Sequence, residues 1–155
     1  MAVAVAALVA ASTGILAAQE RTVALADRHR GAERVVVGHV AAVNPVWKEN
    51  EFGDRLIISI VRVLIDETLK GQAQPSIDVD VEGGTIGDIT LRVSDLTSFA
   101  PGDRAVFYLT RNRRGTIVPY LRGQGLLKLD RTDHVAGTST TLSQVRSAAA
   151  AAGRQ

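Results

Sequence analysis

The sequence predicts a mainly β domain with a helix at each end, and three stretches carry that prediction. Arg55–Gly71, RLIISIVRVLIDETLKG, is apolar on both alternating sets, with Leu56, Ile58, Ile60 and Leu64 on one side and Ile57, Val61, Val63 and Ile65 on the other. A strand apolar on both sides belongs in the middle of a sheet between two covering layers, and its many β-branched residues favour strand over helix. Ser76–Glu82, SIDVDVE, alternates strictly, placing Ile77, Val79 and Val81 inward and Asp78, Asp80 and Glu82 outward. Thr141 and Gln144 fit a capping box, with Leu142, Val145, Ala149 and Ala152 on one helical face and Gly153 beyond it.

The remaining elements follow in chain order. Met1–Ala18 carries no charged side chain before Glu20 and Arg21, and small residues at Ala17 and Ala18 suit a cleavage before Gln19, so an export signal is expected over residues 1–18. An uncleaved anchor and an Ala-rich helix are the competing readings; Ser12, Thr13 and Gly14 make the stretch short and polar for an anchor. Residues 19–155 then form a single domain. Thr22–Arg30 reads as a short helix capped by Thr22 and stopped by Gly31. Val35–Val43 is a strand with a bulge or bend at Gly38, and Asn44-Pro45 should end it, because proline cannot continue a central strand. Trp47–Asp54 is the turn into the two-faced strand, which gives way to a polar turn ending at Lys70-Gly71. Gly83–Gly87 turns the chain into Ile89–Val93, and Pro101-Gly102-Asp103 turns it into Arg104–Thr110. A hairpin loop at Asn112–Gly115 leads to Thr116–Leu121, and Leu126–Leu129 is the last strand. The two-faced strand needs a cover on its second side, supplied by one of the terminal helices; left bare, its Ile and Leu set would be a partner site.

Taken together, the segments VVVGHV, the long strand ending LKG, VDVEGG, FAPGDRAVFYL and YLRGQGLLKL form a series over Arg34–Asp130 that resembles exported bacterial proteins with a netrin or tissue-inhibitor-of-metalloprotease-like domain. That resemblance implies an OB-like, five-stranded Greek-key barrel with flanking helices. The chain departs from the inhibitors in having no cysteine. Their zinc-chelating amino-terminal cysteine and bracing disulfides are missing, so that inhibitory mechanism does not carry over.

Composition narrows the chemistry further. Aromatic residues make up 4% of the 155 residues and the formal net charge is +2, a weak basis for a polyanion partner. Gly83-Gly84-Thr85-Ile86-Gly87 lacks the Gly-Lys-Ser/Thr and the following helix of a phosphate loop, and reads as a turn or bulge. Asp78, Asp80, Glu82 and Asp88 follow no calcium-loop spacing, and neither a metal nor a cofactor is expected. His29, His39 and His134 stand apart; His39 is expected to hydrogen-bond a strand neighbour. No serine lies in a Gly-x-Ser-x-Gly elbow.

The expected function is therefore an exported, non-enzymatic module that binds a protein or cell-envelope component through its loops, with no stable membrane span once the signal is removed. Candidate binding residues are Trp47 and Phe52 in the first long turn, Gly83, Gly84 and Gly87 in the glycine-rich turn, and Arg111, Arg113 and Arg114 at the hairpin. The alternative is an intracellular single-strand nucleic-acid binder, in which Arg111–Arg114 line a positive groove beside Phe107, Tyr108 and Tyr120. Opposing it, Phe107 and Tyr108 must face opposite sides of one strand, and export removes the protein from nucleic acid.

Overall fold

In the computed structural model the described residues are 22–154, so the expected signal at residues 1–18 lies outside them. Helix α1 (Leu25–Gly31) forms without a side-chain cap: Ala24, not Thr22, holds the N-cap position. Asp27 in its first turn and Arg28, His29 and Arg30 in its last suit the helix dipole. Gly31 closes the helix for a packing reason. A Cβ there would lie 2.0 Å from the Tyr120 hydroxyl, so only glycine lets that ring lie against the helix. The buried Arg28 pins the segment, donating from Nε to the Val23 carbonyl and from Nη1 to the Gln124 carbonyl, each at 2.7 Å.

Strands β1 (Arg34–Glu49) and β2 (Arg55–Lys70) form one long antiparallel hairpin. Its turn is shorter than the sequence suggests. Asn50 Oδ1 accepts the backbone N–H of Phe52 and of Asp54, each at 2.9 Å, and Gly53 supplies a φ of 91°. The expected bulge at Gly38 is present, and a Cβ there would meet the Leu64 carbonyl oxygen at 2.4 Å.

Two expectations for this hairpin are corrected. First, β1 runs through Pro45, which pairs with Ser59. Strand β6 (Arg104–Arg111) pairs with β1 only from Arg34 to His39, and the turn at 100–103 bonds both backbone groups of Val40. Beyond that point β1 is an edge strand, where a residue without an N–H forfeits no ladder bond. Second, β2 continues through Asp66–Lys70 in place of the polar turn, pairing back to Val35. Its polar residues are taken up by the helices: Lys70 Nζ donates to the carbonyls of His29 and Arg30 at 2.8 and 2.9 Å, and Glu67 pairs with Arg146 at 2.7 Å.

Strand β3 (Ser76–Glu82) matches its predicted span and pairs with β2, burying Ile77, Val79 and Val81. The glycine-rich segment is a bulge and strand more than a turn: Gly83 bridges to Ile58, and β4 (Gly84–Ile86) pairs with β5 (Ile89–Leu91) as a small separate hairpin turning at Gly87. After β6 come β7 (Ile117–Pro119), a single 3-10 turn over Arg122–Gly125, β8 (Leu126–Leu129) and helix α2 (Leu142–Ala152). The capping box forms as expected, with Thr141 accepting from the Gln144 N–H and the Gln144 side chain accepting from the Thr141 N–H.

The main sheet is antiparallel and six-stranded, in the order β3-β2-β1-β6-β7, with β8 also pairing to β6. It is not closed into a barrel. The β3 and β7 edges lie beside each other, yet no ladder joins them among the described residues. Two features of β7 account for this: it is three residues long and ends at Pro119, which has no N–H, and the chain then leaves through left-handed Leu121 and Arg122.

The sheet has a core on each side. Val36, Val40, Val61, Val63, Val79, Phe107 and Leu109 pack inside the curl. Val35, Val37, Val106, Tyr108, Leu127 and Leu129 face the other way, against Leu142 and Val145 of α2 and Ala32 at the end of α1. Phe107 and Tyr108 thus lie in opposite cores, as their alternation requires. The helices cover β1, β6 and β8, however, and not the middle of β2. There Ile60 is half-buried, Leu64 is exposed, and Arg62 between them forms a two-pronged pair with Asp78 at 2.8 Å. That ion pair divides the strip, and it forms no continuous apolar face.

Candidate functional site

Two turns meet at one end of the sheet. The β1–β2 turn brings Lys48, Glu49, Asn50 and Phe52 against the β6–β7 turn, which brings Asn112, Arg114 and Thr116; Ile58, Asp80 and Val118 form the floor of a groove of about 120 Å³ between them. The second turn is built like the first, with Asn112 Oδ1 accepting the N–H groups of Arg114 and Thr116 at 3.0 Å and Gly115 at φ 78°. Arg114 donates from both Nη1 and Nη2 to one Glu49 oxygen at 3.2 Å, tying the turns together. Phe52, 72% exposed, stands at the rim, whereas Trp47, 44% exposed, does not line the groove. Trp47 pairs with Ile57 on the strand face opposite Lys48.

The cations of this groove are matched. Lys48 pairs with Asp80, Arg114 with Glu49, and Arg122 with both Glu82 at 3.3 Å and Asp95 at 2.6 Å. The Arg122 hydrogen bonds hold the Asp95 carboxyl below the usual carboxylate range and raise the guanidinium in return. Ion pairs exposed to this degree contribute about 0–1 kcal/mol each, and their main consequence is a groove with little net field.

Of the residues singled out by sequence, the structure brings Phe52 and Arg114 together on this groove. Arg111 lies near Glu33, at 4.0 Å, and donates to the Gly115 carbonyl, whereas Arg113 is exposed at the hairpin with no partner among the described residues. Gly83 and Gly84 line a different cavity, beneath the β4–β5 hairpin, and Gly87 is at that hairpin's open tip. The Gly83 N–H donates to the Ile57 carbonyl at 2.8 Å, and Gly84 sits where a Cβ would meet Ser59 Oγ at 2.6 Å. Here the glycines permit close packing of one hairpin on another. Sequence reasoning missed Glu49, Asn50 and Asn112; the spacing of each asparagine before a Gly three residues on was the available signal.

The histidines remain apart. His39 Nδ1 lies 3.1 Å from Asp66 Oδ1, the strand-neighbour bond expected of it. His134 Nδ1 lies 3.0 Å from Thr132 Oγ1, and His29 is buried between α1, α2 and the end of β2. Among the described residues no group of three or more His, Cys, Asp or Glu side chains is placed to hold a metal ion, and no helix is long and apolar enough to cross a membrane. No protein-family model matches the chain, and no curated protein matches its sequence.

Proposed function

We propose that this protein is an exported, non-enzymatic β module that binds a protein or envelope component through the paired β1–β2 and β6–β7 turns. The observation that carries the reading is an exposed aromatic over matched charges: Phe52 stands at the groove where Lys48, Arg114 and Arg122 are each neutralised by a neighbouring acid, and Trp47 is exposed on the other face of the same strand end. Interface centres are enriched in aromatic residues and depleted of net charge, and a rim of that composition suits a protein surface better than a phosphate backbone. The strand order β1-β2-β3 beside β6-β7 also supports an OB-like ancestry, in which the corresponding turns form the ligand face.

Fractionation with N-terminal sequencing, followed by crosslinking pull-down from the exported fraction, tests the reading. The expected result is a mature start near Gln19 and a partner captured by the wild-type protein but lost from a Trp47→Ala, Phe52→Ala double variant. An intact Met1 on a cytoplasmic protein, with salt-dependent binding to a single-stranded oligonucleotide, would overturn it in favour of nucleic acid.

A further inference from the structure

A larger cavity, about 620 Å³, lies on the other side of the β1–β2 hairpin, and the paired-turn reading makes no use of it. Its floor is the concave surface of β1, β2 and β3 through Val43, Val61 and Val81; its back wall is Phe99 and Leu96 from the segment before β6. The β4–β5 hairpin lies across it as a roof. Three observations point to an occupant. The lining is polar at the mouth, where Thr85, Thr90, Ser94, Thr97 and Ser98 gather, and apolar in depth apart from Ser59, whose hydroxyl is already engaged by the Gly83 carbonyl. Arg92 stands at that mouth with no hydrogen bond or ion pair among the described residues, although every cation of the neighbouring groove is matched. The acid that shares the mouth, Glu82, is already engaged by Arg122 at 3.3 Å.

We infer that this cavity binds a single-chain amphiphile with an anionic head, a long-chain carboxylate, its chain against Val43, Val61, Val81 and Phe99 and its head on Arg92. The volume falls in the range that encloses most of a small ligand's surface, about 300–1,000 Å³. A guanidinium without an acid partner is the side chain best suited to grip a carboxylate two-pronged. The roof supplies the way in. A two-stranded hairpin alone is marginally stable in water, and this one is fastened to the main sheet by the Gly83 bridge to Ile58 and the Ser59 hydroxyl donating to the Gly83 carbonyl at 2.7 Å. Lifting β4–β5 about that fastening opens the cavity without disturbing the main ladder.

Calorimetric titration of the folded protein with dodecanoate, below its micelle concentration, tests this, with dodecanol and butyrate as the probes lacking head charge and chain. Dodecanoate should bind one-to-one and saturably, at least about tenfold tighter than either control. Arg92→Ala should bring dodecanoate down to the dodecanol level while leaving dodecanol unchanged, and Thr97→Trp, which fills the mouth, should abolish both. Absence of saturable heat from dodecanoate overturns the inference. So does equal binding of butyrate, which would mark an anion site without a chain pocket, or binding indifferent to both substitutions, which would place the ligand elsewhere. Because the paired turns are untouched by these variants, capture of the partner through Trp47 and Phe52 stands or falls separately.

Discussion

The two halves of β1 behave as different elements although they belong to one unbroken strand. From Arg34 to His39 the strand has β2 on one side and β6 on the other, and Val35, Val36 and Val37 are all buried at 1% exposure or less. From Ala41 to Glu49 β2 is its one ladder partner among the described residues, and Ala41, Ala42, Asn44, Trp47 and Glu49 are exposed. Residue type does not set the difference, since Val43 and Val46 are only half-buried in the second half. Neighbours do. The first half is a structural wall with a core on each face, and the second is an arm that holds turns, a roof and aromatic side chains away from that wall.

The sharpest way to break this contrast is to delete one phenylalanine from each part. Phe107→Ala, in the inner core, should cost about 3–5 kcal/mol of unfolding free energy, whereas Phe52→Ala on the arm should change it by less than about 0.5 kcal/mol in the same urea titration. If the two losses were alike, the arm would be part of the core. A smaller effect separates two glycines. Gly38→Val in the wall forces a side chain into the Leu64 carbonyl and Val63 Cγ1, at 2.4 and 2.7 Å from the new Cβ, and should cost at least about 1–3 kcal/mol. Gly53→Ala on the arm meets no atom within 4 Å and should cost about 1 kcal/mol from its φ of 91° alone.

The smallest expected effect lies where the wall meets the helices. His29 is buried, and burial together with the nearby Lys70 ammonium pushes its pKa below the usual 6.5; Arg30, Glu67 and Arg146 line the same recess. The folded state resists a proton that the unfolded chain accepts, so its contribution to stability is whole above pH 6.5 and is lost as pH falls through the lowered folded-state value. His29→Leu should flatten the stability profile between pH 6.5 and the onset of carboxylate titration, read by chemical denaturation at stepped pH. A slope unchanged by that substitution would place the proton elsewhere.

What the sequence made legible was local. SIDVDVE names its own strand, its buried face and its span, because a period of two needs no knowledge of neighbours. The box of Thr141 and Gln144 likewise declares a helix start from four residues. Pro45 misled for the opposite reason: whether a proline is tolerated depends on where β6 stops, and β6 lies some sixty residues onward. Asp66–Lys70 looked like a turn because its polar side chains are satisfied by helix carbonyls and by Arg146, partners that no strand pattern reveals. The same limit governs the sites. Phe52 and the Arg111–Arg114 hairpin could be marked as exposed, but Val43 and Val81 read as ordinary strand residues and Phe99 as part of a connection with no role assigned, and only the fold sets them around one cavity.

Pro45 also has a meaning for how the chain assembles. The β1–β2 hairpin is joined by a five-residue turn and can form on the microsecond scale, while its neighbour β6 must be recruited across most of the intervening chain, a slower closure. During that interval a long strand with an unpaired edge is open to the same edge on another copy. The first half of that edge is eventually hidden by β6, and no strand among the described residues pairs with the second half. A proline set in the half that stays open removes a donor from any intruding ladder, so the residue that looks like the end of a strand guards the nascent hairpin against its own duplicates.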